Sequence, residues 1–332
     1  MGQELTLAEQ ETKLSTLLSN EILQLLILPT EACNFRCTYC YEDHVQGKMQ
    51  EKTVSALKQF LKNRLPTLRA LTVSWFGGEP LLAKDIVLDI STFIQNEIIE
   101  RGDFSYFASA TTNGYLLDLS TLNDLVRVGV TEFQISLDGP SNIHNKRRLR
   151  VDGSGTFEQI WSNLINLRDS KLPVNVLLRI HIDAETRFQI NPLLDLVRNE
   201  LINDDRFTFF FRALSKLGGP NDHLLNVISD EEESTVIETL ERFLGGGKFK
   251  HKSDFPMCYA SHANSFVVRA SGDFAKCTVA LSDEHNKIGT LRSDGKLEII
   301  PTRLTPWIRG IASLDSNELA CPWRGFPGKY SR

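Results

Sequence analysis

The chain has 332 residues, of which 41% are hydrophobic and 24% charged, with a formal net charge of -5. That length suits one large domain plus a small one, and the composition is that of a globular enzyme. The acidic balance argues against a nucleic-acid partner, and no apolar run reaches membrane-spanning length. The polar, acidic first twenty residues hold no signal peptide, so the cytoplasm, with reduced thiols, is the expected location.

Residues 1–20 read as an N-terminal extension, with "TLAEQETKLSTLLSNEIL" patterned as one amphipathic helix. Six apolar β-rich runs follow: "ILQLLILP", "LTVSWFGG", "SYFASATTNG", "EFQISLDG", "VNVLLRIHID" and "RFTFFFRAL". Each is followed by a stretch with helical periodicity, from "EKTVSALKQFLKNRL" to "SDEEESTVIETLERFLGGG". Such alternation predicts parallel β/α units wound right-handed into a curved sheet or open barrel. After the run of glycines at 245–247 the pattern changes. Two short hairpins are predicted, turning at Ser271–Gly272–Asp273 and at Asp294–Gly295, in a tail that carries Cys258, Cys277 and Cys321. The "KLGGPND" segment after the sixth run reads equally as a lid or as a surface turn.

Unusual residues gather where the predicted strands end. The first strand leads into Cys33, Cys37 and Cys40, spaced C-x3-C-x2-C. The second ends in Gly77–Gly78–Glu79–Pro80, the third in Thr111–Thr112–Asn113–Gly114, and the fourth in Ser136–Leu137–Asp138–Gly139. The fifth carries Arg179 and His181. Ligand sites of parallel α/β sheets form at this edge, so five loops distant in sequence are expected at one mouth. The cysteine spacing alone admits two readings. With His44 as fourth ligand it is a closed zinc site. Without it, three thiolates would leave one iron of a [4Fe–4S] cluster open to a ligand.

C-x3-C-x2-C with Tyr39 before the last cysteine resembles the signature of the radical S-adenosylmethionine (SAM) superfamily. "GGEP", "TTNG" and "SLDGP" resemble that superfamily's strand-end loops in the branch that modifies peptides and proteins. "HNKRRLRVDGSGTF" resembles the branch's H-D-x-x-R segment, with His144 and Arg148 in the matching places and Asn145 where aspartate is usual. The tail resembles the twitch or SPASM domains joined to such enzymes. The fold implied is α/β: a partial (β/α)6 barrel over 21–215, a helical linker over 216–254, and a small α+β twitch or SPASM-like domain over 255–332.

The resemblance implies a set of roles. Cys33, Cys37 and Cys40 hold a [4Fe–4S] cluster whose open iron chelates SAM, giving a 5′-deoxyadenosyl radical on reduction. Tyr39, Gly77, Gly78, Glu79, Thr112, Asn113, Ser136 and Arg148 are the expected SAM contacts, Glu79 through the amino group and Arg148 through its carboxylate fork. Asp138 is the candidate to accept a substrate proton, although an aspartate in a D-G turn is also a common structural device. Cys258, Cys277 and Cys321 would hold one auxiliary iron–sulfur cluster, or are simply buried thiols. The implied activity is maturation of a ribosomally made peptide by an oxidative side-chain cross-link. Formylglycine formation in a sulfatase and epimerisation are enzymatic alternatives, and a zinc or iron–sulfur binding module is the non-enzymatic one. Expected partners are the peptide, an external one-electron donor of flavodoxin or ferredoxin type, and a separate leader-recognition protein.

Overall fold

The computed structural model describes residues 7–251 and 257–326. The expected boundary at 254/255 lies outside the described residues. A helix, Leu7–Leu18, precedes the first strand. The strands are β1 (Ile22–Ile27), β2 (Phe35–Cys37), β3 (Ala70–Trp75), β4 (Ser105–Thr112), β5 (Val130–Leu137), β6 (Arg148–Arg150) and β7 (Asn175–Ile182). They continue as β8 (Phe207–Ala213), β9 (Lys248–Phe249), β10 (Ser265–Val268), β11 (Asp273–Ala275), β12 (Lys287–Leu291) and β13 (Leu297–Ile299). All but β2 and β6 join one sheet, ordered β13-β12-β11-β10-β1-β3-β4-β5-β7-β8-β9.

Within it, β1, β3, β4, β5, β7 and β8 are parallel neighbours, the six strands read from the sequence. Each leads to a helix: Glu51–Arg64, Lys84–Ile98, Leu119–Arg127, Phe157–Ser170, Asn191–Glu200 and Asp230–Leu244. Alternation along the strands divides the sheet's two faces. Leu23, Leu25, Ile27, Leu71, Val73, Trp75, Phe133, Ile135, Val176, Leu178, Phe209 and Phe211 are buried in the main core with Leu57, Leu61, Val87, Ile90, Leu164 and Leu194 of the helices. The alternate positions carry Gln24, Thr72, Ser74, Ser109, Thr111, Gln134, Ser136, Arg179, His181 and Arg212, with Leu26, Phe107, Leu177 and Phe210 among them. The concave face is therefore mostly polar toward the strand ends. Ser109 Oγ donates to Ser74 Oγ across it (3.0 Å).

Two features bear on the division of the chain. The stretch 216–254, expected as a linker, contains Asp230–Leu244, which buries Leu240 and Leu244 in the main core, and β9, which pairs with β8. The tail continues the barrel's sheet rather than starting a new one. β10 runs parallel to β1, with Gln24↔Ser265 through Ile27↔Val268 in register, and β11–β13 follow as the two hairpins expected from the sequence. A small apolar cluster of Leu26, Leu28, Val267 and Ala275, with Phe76 and Tyr259 against it, closes the concave face on the tail side.

Candidate active site

The first loop after β1 carries the three cysteines, and its placement is set by backbone contact. At Gly77 (φ +121°) a Cβ would stand 2.2 Å from the Thr30 carbonyl oxygen. At Gly78 it would stand 2.4 Å from the Ala32 oxygen. Only glycine admits that approach, because anything larger meets backbone rather than a movable side chain. Glu79 N–H then donates to Ala32 O (3.0 Å). From the other side Glu31, which is 2% exposed, accepts from Arg269 Nε of the tail (3.1 Å). β2 pairs with β6 through Cys37↔Arg148. The "KLGGPND" segment lies on the loop as well: Asn221 Nδ2 donates to Thr38 O (2.9 Å), and Gly219 packs against the backbone of Cys40 and Tyr41.

These contacts bring the strand-end residues to one cavity of about 210 Å³. That is several times the ~30 Å³ share of a water molecule, so this end of the barrel is not filled by side chains. Cys33, Cys37, Cys40, Tyr39, Gly77, Gly78, Thr112, Asn113, Ser136 and Arg148 all line it. Glu79 and Asp138 are fully buried and are not part of the lining. Glu79 accepts from Thr112 Oγ1 (2.8 Å), Leu81 N–H (3.0 Å) and Asn113 N–H (2.7 Å), which ties the second strand end to the third. Asn113 Nδ2 in turn donates to Asn34 Oδ1 (2.8 Å) beside Cys33.

Asp138 sits under a charged group of side chains. Its Oδ1 meets His181 Nδ1 (3.1 Å) and lies 3.7 Å from Arg148 Nη1, which donates to Tyr39 Oη (2.8 Å). Burial alone would raise the Asp138 carboxyl. The His181 hydrogen bond and the Arg148 charge outweigh it and hold the group well below the usual carboxylate range. Burial, aided by the Arg179 charge, lowers His181 to about 4, so the ring is neutral near pH 7.

The H-x-x-x-R segment holds this arrangement from behind. His144 Nδ1 accepts from Asp138 N–H (3.2 Å), Nε2–H donates to Thr156 Oγ1 (3.1 Å), and Thr156 Oγ1 donates to Arg148 O (2.6 Å). Asn145, which stands where the resembled segment has aspartate, accepts at Oδ1 from Thr156 N–H (2.7 Å) and Phe157 N–H (2.8 Å). It thus satisfies N–H groups at the start of helix Phe157–Ser170. One acceptor oxygen is enough for that work, and the amide has it.

The three cysteines of the loop are free and partly buried. Burial pushes Cys33 and Cys37 up to about 12 and raises Cys40 as well. Buried thiols this reluctant to ionise become ligands when metal supplies the compensating charge. His44 stands near Cys40, Nε2 to Sγ 3.6 Å. Yet among the described residues no three His, Cys, Asp or Glu side chains converge as one metal ion requires. In the tail, Cys258, Cys277 and Cys321 form a second trio close enough for their charges to act on one another, and burial raises Cys258 to about 12. Tyr41 lines the cavity and lies near Tyr259 and Cys277, between the two trios.

The cavity also holds residues that the motifs do not name. Thr111, Gln134, Arg179, His181 and Arg212 line it. Their signal is a polar residue at every second position near the end of an otherwise apolar parallel strand, where continuous apolar runs are the rule.

The Radical SAM superfamily model matches residues 27–197. A cysteine-type anaerobic sulfatase-maturating enzyme of Clostridium novyi is 24% identical over 316 residues, 85% of this chain and 80% of the relative. A GTP 3′,8-cyclase of Haemophilus influenzae is 27% identical over 139 residues, 41% of this chain and 38% of the relative. The fold is similar to that of native anSMEcpe with bound AdoMet and Cp18Cys peptide (TM-score 0.65, 20% identity, 86% of this chain and 80% of that one). It is also similar to Streptococcus suis SuiB bound to precursor peptide SuiA (TM-score 0.61, 16% identity, 92% and 70%).

Two outcomes are expected. Gly77→Ala introduces a Cβ against Thr30 O at a positive φ, and should lower unfolding free energy by about 2–4 kcal/mol in chemical denaturation, with loss of iron binding. Burial first, and the Arg148 charge next among the lowering causes, bring His144 down to about 4. Its folded pKa is thus below its unfolded value near 6.5. The unfolded state binds more protons between those values, so stability is full above about 6.5 and falls toward pH 4. His144→Gln should remove a slope worth roughly 3 kcal/mol over that window.

Proposed function

The chain belongs to the radical SAM superfamily, and on that premise we propose that it is a maturase that oxidatively modifies a peptide or protein side chain. The observation that carries this reading is a second thiol trio, Cys258, Cys277 and Cys321, separated from the first by the cavity-lining Tyr41. Cys33, Cys37 and Cys40 would hold the [4Fe–4S] cluster, with Gly77, Gly78, Thr112, Asn113, Ser136, Tyr39 and Arg148 around SAM. Bound together, the cluster and SAM supply a 5′-deoxyadenosyl radical able to take hydrogen from an unactivated carbon.

The chain's own residues do the rest. Arg148 presents a guanidinium beside Cys37, held by Tyr39 and Asp138, where the carboxylate of SAM is expected. Glu79 has its oxygens engaged by three protein donors, and its part is to fix Thr112 and Asn113. The segment that follows β8 adds Ser215 and Leu217 to the cavity wall beside Cys40. The tail trio offers a place for an acceptor of the electron that an oxidation releases. A peptide substrate accords with the bound peptides named for anSMEcpe and SuiB. We take a side-chain cross-link as the product. The Clostridium novyi relative favours a second reading, formylglycine formation.

The test is anaerobic reconstitution with iron, sulfide, SAM, a reductant and the peptide encoded beside the gene. The expected result is 5′-deoxyadenosine with a peptide lighter by two hydrogens. A cross-link and a serine turned into an aldehyde both give that mass and are told apart by fragmentation, whereas a cysteine turned into an aldehyde also exchanges its sulfur for oxygen and is lighter still. A peptide of unchanged mass and chirality overturns the reading. Iron analysis addresses the tail: about eight irons per chain should fall to about four in a Cys258→Ala, Cys277→Ala, Cys321→Ala variant, since each cluster holds four.

A further inference from the structure

Arg179 acts on His181 through its charge, yet no hydrogen bond or ion pair ties it to the arrangement described above. It lines the cavity from β7, and its Nε is buried without a hydrogen-bond partner. Burial lowers its pKa, and the Arg212 charge adds to that. Arg212 lies on the neighbouring strand, paired in register with His181 and lining the same cavity. Arg179 thus adds an unpartnered buried N–H to a partly desolvated space that already holds a second guanidinium, and such a group is best met by an anion.

The three thiols do not meet that need. Arg148 is the leading cation acting on Cys37, and it also acts on Cys40. Arg179 acts instead with Tyr39, Tyr41, Arg148 and Arg212, further along the concave face. Asp138 is engaged by His181 and Arg148. Resting on the reading of the chain as a peptide maturase, we propose that Arg179, with Arg212 beside it, binds a carboxylate of the peptide substrate and so selects a segment with an acidic group near the modified residue. The guanidinium fork suits a carboxylate bidentately, which a lysine does not reproduce.

The experiment uses SAM-loaded holoenzyme and two probes, N-acetylglutamate α-amide and its neutral counterpart N-acetylglutamine α-amide, observed by saturation-transfer NMR. The acid should bind and the amide should not, and Arg179→Gln should abolish the acid's signal. Arg179→Lys keeps the charge and should retain a weakened signal, which guards against misfolding as the cause. The SAM dissociation constant should stay within about twofold in both variants. In turnover, Arg179→Gln should raise KM for an acidic peptide at least ~30-fold with little change in kcat. Equal binding of acid and amide, or a signal that survives Arg179→Gln, overturns the proposal. Tenfold weaker SAM binding in Arg179→Gln would assign the arginine to SAM's own carboxylate and overturn it as well. The probes need no knowledge of the peptide. A precursor left unmodified by an enzyme that binds the acid would count against the maturase reading alone.

Discussion

The site rests on one steric constraint, the passage of Gly77 and Gly78 against the backbone of residues 30–32. At 2.2–2.4 Å from carbonyl oxygens there is no room for a Cβ. The cysteine loop is therefore seated by main chain, which has few alternative positions. Glu79 extends the contact, because its three donors bind the second strand end to the third. The buried Glu31–Arg269 pair performs the same task toward the tail. Within the loop Phe35 is the apolar anchor, buried in the main core with Cys33 and Cys37 packed against it. The loop's order is borrowed from strand ends that the main core has already made rigid.

Electrostatics follow from that placement. Burial raises the thiols, lowers His144, His181 and Arg179, and would raise Asp138 were it not for its partners. Uncompensated, such a set would work against folding, since buried charge is costly without a counter-charge. The polar residues lie on the concave face while the apolar ones pack against the helices, so the cost falls at a cavity where ligands can enter. Arg148 and Asp138 compensate each other in part. The thiols and Arg179 are left, and their needs are opposite in sign: a metal cation for one, an anion for the other.

Much of this was legible in the sequence. Six apolar runs with helical stretches between them gave the six parallel strands. The C-x3-C-x2-C loop and the Gly77, Thr112 and Ser136 strand ends were foreseen at one mouth, which is where they stand. The role of the glycines was foreseen only in part. Their missing Cβ atoms admit the protein's own backbone, a contact between Gly77 and Thr30 and between Gly78 and Ala32 that no local pattern reveals. The continuation of the sheet into β10 escaped notice for a similar reason. Parallel pairing between Ile22–Ile27 and Ser265–Val268 joins segments about 240 residues apart and leaves no turn signal. Arg212 was hidden inside "TFFFRAL", where its register with His181 depends on the order of strands in the sheet.

That long-range pairing has a mechanical consequence. The strand that launches the first cysteine loop is hydrogen-bonded along its length to β10, which opens the tail's hairpins. Cys258 is anchored by its N–H to Leu319 O (2.8 Å), and Cys277 N–H by Asn286 Oδ1 (2.9 Å). Trp307, fully buried and stacked on Trp323 at 5.5 Å, packs the segment around Cys321 onto the rest. The two thiol trios are therefore positioned by one ladder and its packing. Tyr41 faces the cavity and lies near Cys277 and Cys40. Shared support of the two trios suits the proposed chemistry, in which the substrate changes while its surroundings hold still. In such a molecule, selectivity is left to the cavity wall, and β7 and β8 supply the part of that wall farthest from the tail in strand order.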